Sequence, residues 1–191
     1  PFNSAEQYEY RKDDFRFQSA MTYSLSDRYR ESLNQIGYLK PLGSVPMFAH
    51  CMKDDNAYFS TEPIKGSNNG LVCLGDSIVS NGNSYADDGT VAIHELQHAT
   101  TTFTYPYPQG MNQFYYDEAG ALNEAISDFM ALVFTEPMLP AGWDGKVFSR
   151  WALGAFYESW GEDHSRGAHF CPEYDPRFST NCTDDAVRFS A

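Results

Sequence analysis

Five residues constrain this chain more than any others: His94-Glu95-Leu96-Gln97-His98, an H-E-x-x-H pattern. Side chains four apart lie one above the other on one face of a helix, so both imidazoles can meet at one point. Both then reach a single Zn²⁺ at about 2.0–2.1 Å. Glu95 is next to them on the turn but off the ligand stripe, the place for a base acting on metal-bound water. Asp87, Asp88 and Gly89 supply capping and turn chemistry just upstream, and Val91, Ala92, Ile93 and Leu96 supply surface for burial. A histidine pair on a helix can also be a satisfied core feature. A third ligand separates the two readings.

A catalytic zinc site takes three protein ligands and keeps one position open. The five histidines are His50, His94, His98, His164 and His169. The metzincin continuation needs Gly and His where this chain has Thr101 and Thr104, which excludes that class. The other source is a glutamate on a following helix. Ala119 to Phe129 reads as such a helix, with Leu122, Ala125, Ile126 and Phe129 as its apolar face. Glu124 and Asp128 are i,i+4 on the other face. Alone they repel; a metal and a metal-bound histidine resolve the conflict. Glu124 would bind the zinc, and Asp128 would accept the ring N–H of a ligand histidine, His94 first. A solvated acidic face is the plainer reading of the same two residues.

His94–His98 together with Asn123-Glu124-Ala125-Ile126-Ser127-Asp128 resembles the thermolysin-like (M4-type) gluzincins. Asn56-Ala57-Tyr58-Phe59 resembles their Asn-Ala-aromatic-aromatic edge strand, Leu71–Asp76 the strand and turn after it, and Asp185–Arg188 the segment with their substrate-binding arginine. The resemblance runs unevenly from about Met47 to Arg188. It implies a zinc endopeptidase with His94, His98 and Glu124 on one catalytic Zn²⁺ and Glu95 as general base. It also implies Tyr115 (Tyr116 in reserve) as oxyanion donor, with Asn56, the Ala57 carbonyl and Arg188 holding a peptide or protein substrate. Two features depart from the family. Only Phe189, Ser190 and Ala191 follow Arg188, so the family's second catalytic histidine is missing, with His169 and His164 as the substitutes. Thr90 stands where the family places an acidic calcium ligand; Asp87, Asp88, Glu136 and Asp144 can form another Ca²⁺ site, but no matched position supports one.

The implied architecture is α+β and zincin-like. A small twisted mixed sheet packs on the H-E-x-x-H helix, and the Glu124 helix crosses it. The absence of βαβ repeats argues against a doubly wound sheet. The chain of 191 residues suits one catalytic lobe, with the family's second, helical lobe expected beyond Ala191 or on a second chain. Apolar residues facing that lobe would then be exposed as a patch.

Within the lobe, residues 1–20 read as an extended arm and Tyr23–Ile36 as a helix with Leu25, Tyr29, Leu33 and Ile36 as its stripe, stopped at Gly37. Strands are expected over 45–51, 56–60 and 70–74, the zinc helix over 89–102, and irregular chain from Thr104 to Gln113. The Glu124 helix runs to about Thr135. A further helix covers 147–160, with Phe148, Trp151, Ala155 and Phe156 on its buried face, followed by a cysteine-bearing loop.

Thirteen basic residues against 26 acidic ones give a net charge of −13, which argues against nucleic acid and anionic membranes as partners. No apolar run approaches the roughly 18 residues of a membrane span. The four cysteines have no C-x-x-C spacing. Two disulfides, Cys51–Cys73 and Cys171–Cys182, and an oxidising compartment are the expectation, with free buried thiols the alternative. With no start methionine or signal peptide before Pro1, the chain reads as a secreted or periplasmic product processed from a longer precursor. The competing reading is a truncated, weakly active zinc-binding lobe that acts as a peptide- or partner-binding module.

Overall fold

The computed structural model describes residues 10–12, 14, 16–38, 43–54, 56–62, 64, 69–76, 84–104, 117–138 and 141. Among them the fold is α+β, with three helices and one three-stranded mixed sheet: α1 Arg16–Gln35, β1 Met47–Ala49, β2 Ala57–Ser60, β3 Leu71–Leu74, α2 Gly89–Thr104 and α3 Asp117–Thr135. The strand order is β1-β3-β2, with β1 parallel and β2 antiparallel to β3. The expected 147–160 helix, Cys171 and Cys182 lie outside the described residues.

α1 begins seven residues earlier than the sequence pattern suggests, so the arm expected over residues 1–20 is already helical from Arg16. The overlooked signal is Asp14, whose carboxylate accepts the Arg16 N–H at 2.9 Å and also binds its guanidinium. At the other end Tyr38 N–H donates to Leu33 O and Gly37 N–H to Asn34 O, with Gly37 at φ 83°. That pair of bonds is a Schellman stop. It places Ile36 outside the helix and 73% exposed, so the stripe that packs is Leu25, Tyr29 and Leu33.

β3 is the central strand. Val72 and Leu74 on its inner face join Phe59 of β2 against α2, where Phe59 meets Phe103 edge-on at 6.3 Å. The opposite face carries Cys73, bonded to Cys51 across 22 residues with Cα atoms 5.6 Å apart. β1 stops at Ala49 rather than continuing to Cys51, because His50 turns the chain at φ 57°. Gly70 enters β3 at φ 71°, and a Cβ there would meet Ser60 O at 1.9 Å. Only glycine satisfies both conditions.

α2 is the axle of the molecule. Asp88 caps it: its carboxylate accepts Thr90 N–H at 3.0 Å and Thr90 O–H at 2.7 Å. Every residue from Thr90 to Thr101 is buried, because α1, the sheet and α3 surround the helix. It runs through Thr104, two residues beyond the expected end. The Tyr29 hydroxyl of α1 donates to Gln97 Oε1, and Gln97 Nε2–H donates to Thr101 Oγ at 3.0 Å.

α3 is turned differently from the expectation. Leu122, Ile126 and Phe129, read as its packed apolar face, are exposed, as is Val133; of that set only Ala125 is buried. The face against α2 carries Asn123, Ser127, Ala131, Leu132 and Thr135. Small and polar residues there let the two helices approach and bring the carboxylates of α3 to the histidines of α2.

Candidate metal centre

His94 and His98 are one turn apart on α2, both buried, with rings edge-on and centroids 4.6 Å apart. Their Nε2 atoms point at each other across 2.9 Å. Glu124 of α3 reaches the same point, with Oε2 3.2 Å from His94 Nε2 and Oε1 3.5 Å from His98 Nε2. The three ligand atoms lie within 4.8 Å of one another, and this is the one such group among the described residues.

These distances can be set against what a metal requires. Bonds of about 2.0–2.1 Å in a tetrahedral shell put neighbouring ligand atoms about 3.3–3.4 Å apart. The observed 2.9, 3.2 and 3.5 Å bracket that value. The outer ring nitrogens are also engaged. His94 Nδ1 is 2.7 Å from Asp128 Oδ1, and a carboxylate there keeps the proton on Nδ1. His98 Nδ1 is 3.2 Å from the Ser127 hydroxyl. With protons on both Nδ1 atoms, two Nε2 lone pairs and a carboxylate converge on one point. Without a metal, a proton between the two Nε2 atoms relieves their repulsion; a metal can take its place, and two imidazoles with one carboxylate are a donor set that holds Zn²⁺.

The acid–base behaviour reflects the same crowding. Burial works against a charged His94, but the hydrogen bonds to Asp128 and Glu124 prevail and push it up to about 9. Burial would raise Glu124 as well; its bonds to His94 and His98 outweigh that and hold it far below the usual carboxylate range. Glu95 is pushed up, chiefly by burial, with the nearby histidines opposing. A buried carboxyl with a raised pKa is suited to taking and returning a proton.

β2 borders this centre. Gly75 N–H donates to Asn56 O at 3.1 Å, which makes Asn56 and Gly75 a hydrogen-bonded pair. Alternation along an antiparallel ladder then turns the peptide groups of Ala57 and Phe59 away from β3. The Glu95 carboxylate accepts the Phe59 N–H, in agreement with that register. Asn56 and Ala57 therefore lie at the sheet edge, at the start of the strand whose Phe59 N–H meets Glu95. Asp87 and Asp88 serve as caps: Asp87 accepts Ser84 N–H and Asp88 holds Thr90.

The structure thus brings together His94, His98, Glu124, Asp128 and Glu95; Asn56 and Ala57 lie at the start of the neighbouring strand, with no contact to this group shown. Tyr115, Tyr116, His164, His169 and Arg188 lie outside the described residues. The residue missed in the sequence is Ser127. Each histidine of a metal-binding pair has a second ring nitrogen that needs a partner, and the sequence pattern offers one only to His94. Searching the same face of α3 for a partner to His98 leads to Ser127, three residues after Glu124.

Compared with family models, with curated proteins and with solved structures, the chain matches none.

Proposed function

We propose that this chain is a zinc-dependent peptidase lobe of the gluzincin kind. The observation that carries the reading is the convergence of His94, His98 and Glu124 on one point, with buried Glu95 on the same helix. When bound there, Zn²⁺ supplies Lewis-acid polarisation of a carbonyl and lowers the pKa of water.

The chain's own residues supply the rest. Asp128 holds His94 in the tautomer whose Nε2 lone pair faces inward. Glu95 takes a proton from the attacking water and returns it to the leaving amine, work for which its raised pKa suits it. The outward peptide groups of Ala57 pair with an extended substrate as an added strand. Tyr115 and Arg188 are carried here by resemblance alone, as oxyanion donor and carbonyl ligand. The Cys51–Cys73 disulfide supports an oxidising, extracytoplasmic setting. No described helix is long and apolar enough to cross a membrane.

The test is zinc content and cleavage of a quenched-peptide library by the chain beside Glu95→Gln. The expected result is one zinc per chain in both proteins, and cleavage lowered about 10²–10⁴-fold in the variant. Zinc without Glu95-dependent cleavage would instead identify a zinc-holding, peptide- or partner-binding lobe.

A further inference from the structure

One face of α3 meets all four ring nitrogens of the two histidines. Glu124 approaches both Nε2 atoms, Asp128 meets His94 Nδ1, and Ser127 meets His98 Nδ1. These three residues are i, i+4 and i+3 on one helix, so a single rigid element sets both rings. The two outer partners differ in kind: His94 is backed by a carboxylate and His98 by a hydroxyl.

We propose that Ser127 is the positioning residue for His98, fixing its ring and tautomer for metal binding. The inference rests on the metal-centre reading of His94, His98 and Glu124. Ser127 is wholly buried, with 0% of its surface exposed. A buried hydroxyl must find a partner, and the one it has is the Nδ1 of a ligand histidine, at 3.2 Å. His98 Nδ1–H donates to Ser127 Oγ, which leaves the Nε2 lone pair facing His94 Nε2 and Glu124. With Nδ1 unsupported, the proton can move to Nε2 and block the atom that must bind. A hydroxyl also fits this place better than a second carboxylate. Glu95, Glu124 and Asp128 already crowd the two histidines, and a further carboxylate at this wholly buried position would add repulsion and desolvation cost.

The decisive comparison is zinc affinity by chelator competition for the full chain, Ser127→Ala and Ser127→Thr. Ser127→Ala should bind zinc about 10–100-fold more weakly, as loss of an outer partner of a metal-bound histidine does. Ser127→Thr, which keeps the hydroxyl, should recover most of that loss. Melting of the metal-free proteins serves as the check on folding. A second readout is the tautomer of His98 in the metal-free protein, from its ring ¹⁵N shifts. The proton should sit on Nδ1 in the parent chain and shift towards Nε2 in Ser127→Ala, a change that a merely space-filling role would not produce. Unchanged zinc affinity and tautomer in Ser127→Ala would overturn the assignment and leave the metal centre standing. A parent chain that binds no zinc would sink the metal centre, and the assignment with it.

Discussion

His94 carries a carboxylate on each ring nitrogen, Glu124 at 3.2 Å and Asp128 at 2.7 Å, yet the two acids do different work. Glu124 has half of its side chain in solvent, so its oxygen can change partner as an ion enters. Asp128 is three-quarters covered, at 22% exposed, and addresses the outer nitrogen. Asp128→Ala is therefore expected to lower zinc affinity about 10–100-fold while leaving Glu95 in place. Chelator competition measures it, and an affinity equal to the parent's would show that Asp128 does not orient the ligand. At this scale much was legible in the sequence. An i,i+4 histidine pair and an i,i+4 acid pair have fixed facing directions once each is placed on a helix. The Ser127 contact was less legible, because a lone serine carries no periodicity and its meaning depends on which face of α3 turns inward.

Elements were read less evenly than residues. Helix α2 and β3 stand where their patterns place them, since buried runs bounded by caps and glycines are strong local signals. The orientation of α3 was not legible from its apolar residues. Leu122, Ile126, Phe129 and Val133 recur at i, i+4, i+7 and i+11, an apolar stripe that suggests a core face. They nevertheless point away from α2, because bringing Glu124 and Asp128 to the histidines turns the opposite stripe inward. The rotation of this helix instead turns Asn123, Ser127, Ala131, Leu132 and Thr135 inward. The entry into β3 gives a sharp prediction of its own. Gly70→Ala introduces both a strained positive φ and a contact with the Ser60 carbonyl. A loss of about 2–4 kcal/mol is expected, read as a lower urea midpoint. A midpoint equal to the parent's would mean that the β2–β3 junction is looser than described.

At the scale of the fold, a buried polar chain ties α1 to α2 through Tyr29, Gln97 and Thr101. Burial pushes the Tyr29 phenol well above its usual range. Below about pH 10 both folded and unfolded chains hold the phenolic proton, and the full stability is present. Above it the unfolded chain releases the proton while the folded one retains it, so stability falls as pH rises towards the folded value. The decline should approach about 1.4 kcal/mol per pH unit. Tyr29→Phe should lack this component, so its urea midpoint should fall less between about pH 9 and about pH 11 than the parent's. Identical slopes in the two proteins would mean that Tyr29 reaches water in the folded state.

Such long-range ties could not be read in advance. Tyr29 and Gln97 are 68 residues apart, and neither belongs to a motif. The central claim, however, is confined to three side chains on two helices. Its most direct test is zinc stoichiometry, measured by chelator competition on the parent chain, His98→Ala and Glu124→Ala. One tightly held zinc per parent chain is expected, with binding weakened by orders of magnitude in both variants. No zinc on the parent, or binding indifferent to both substitutions, would contradict the claim.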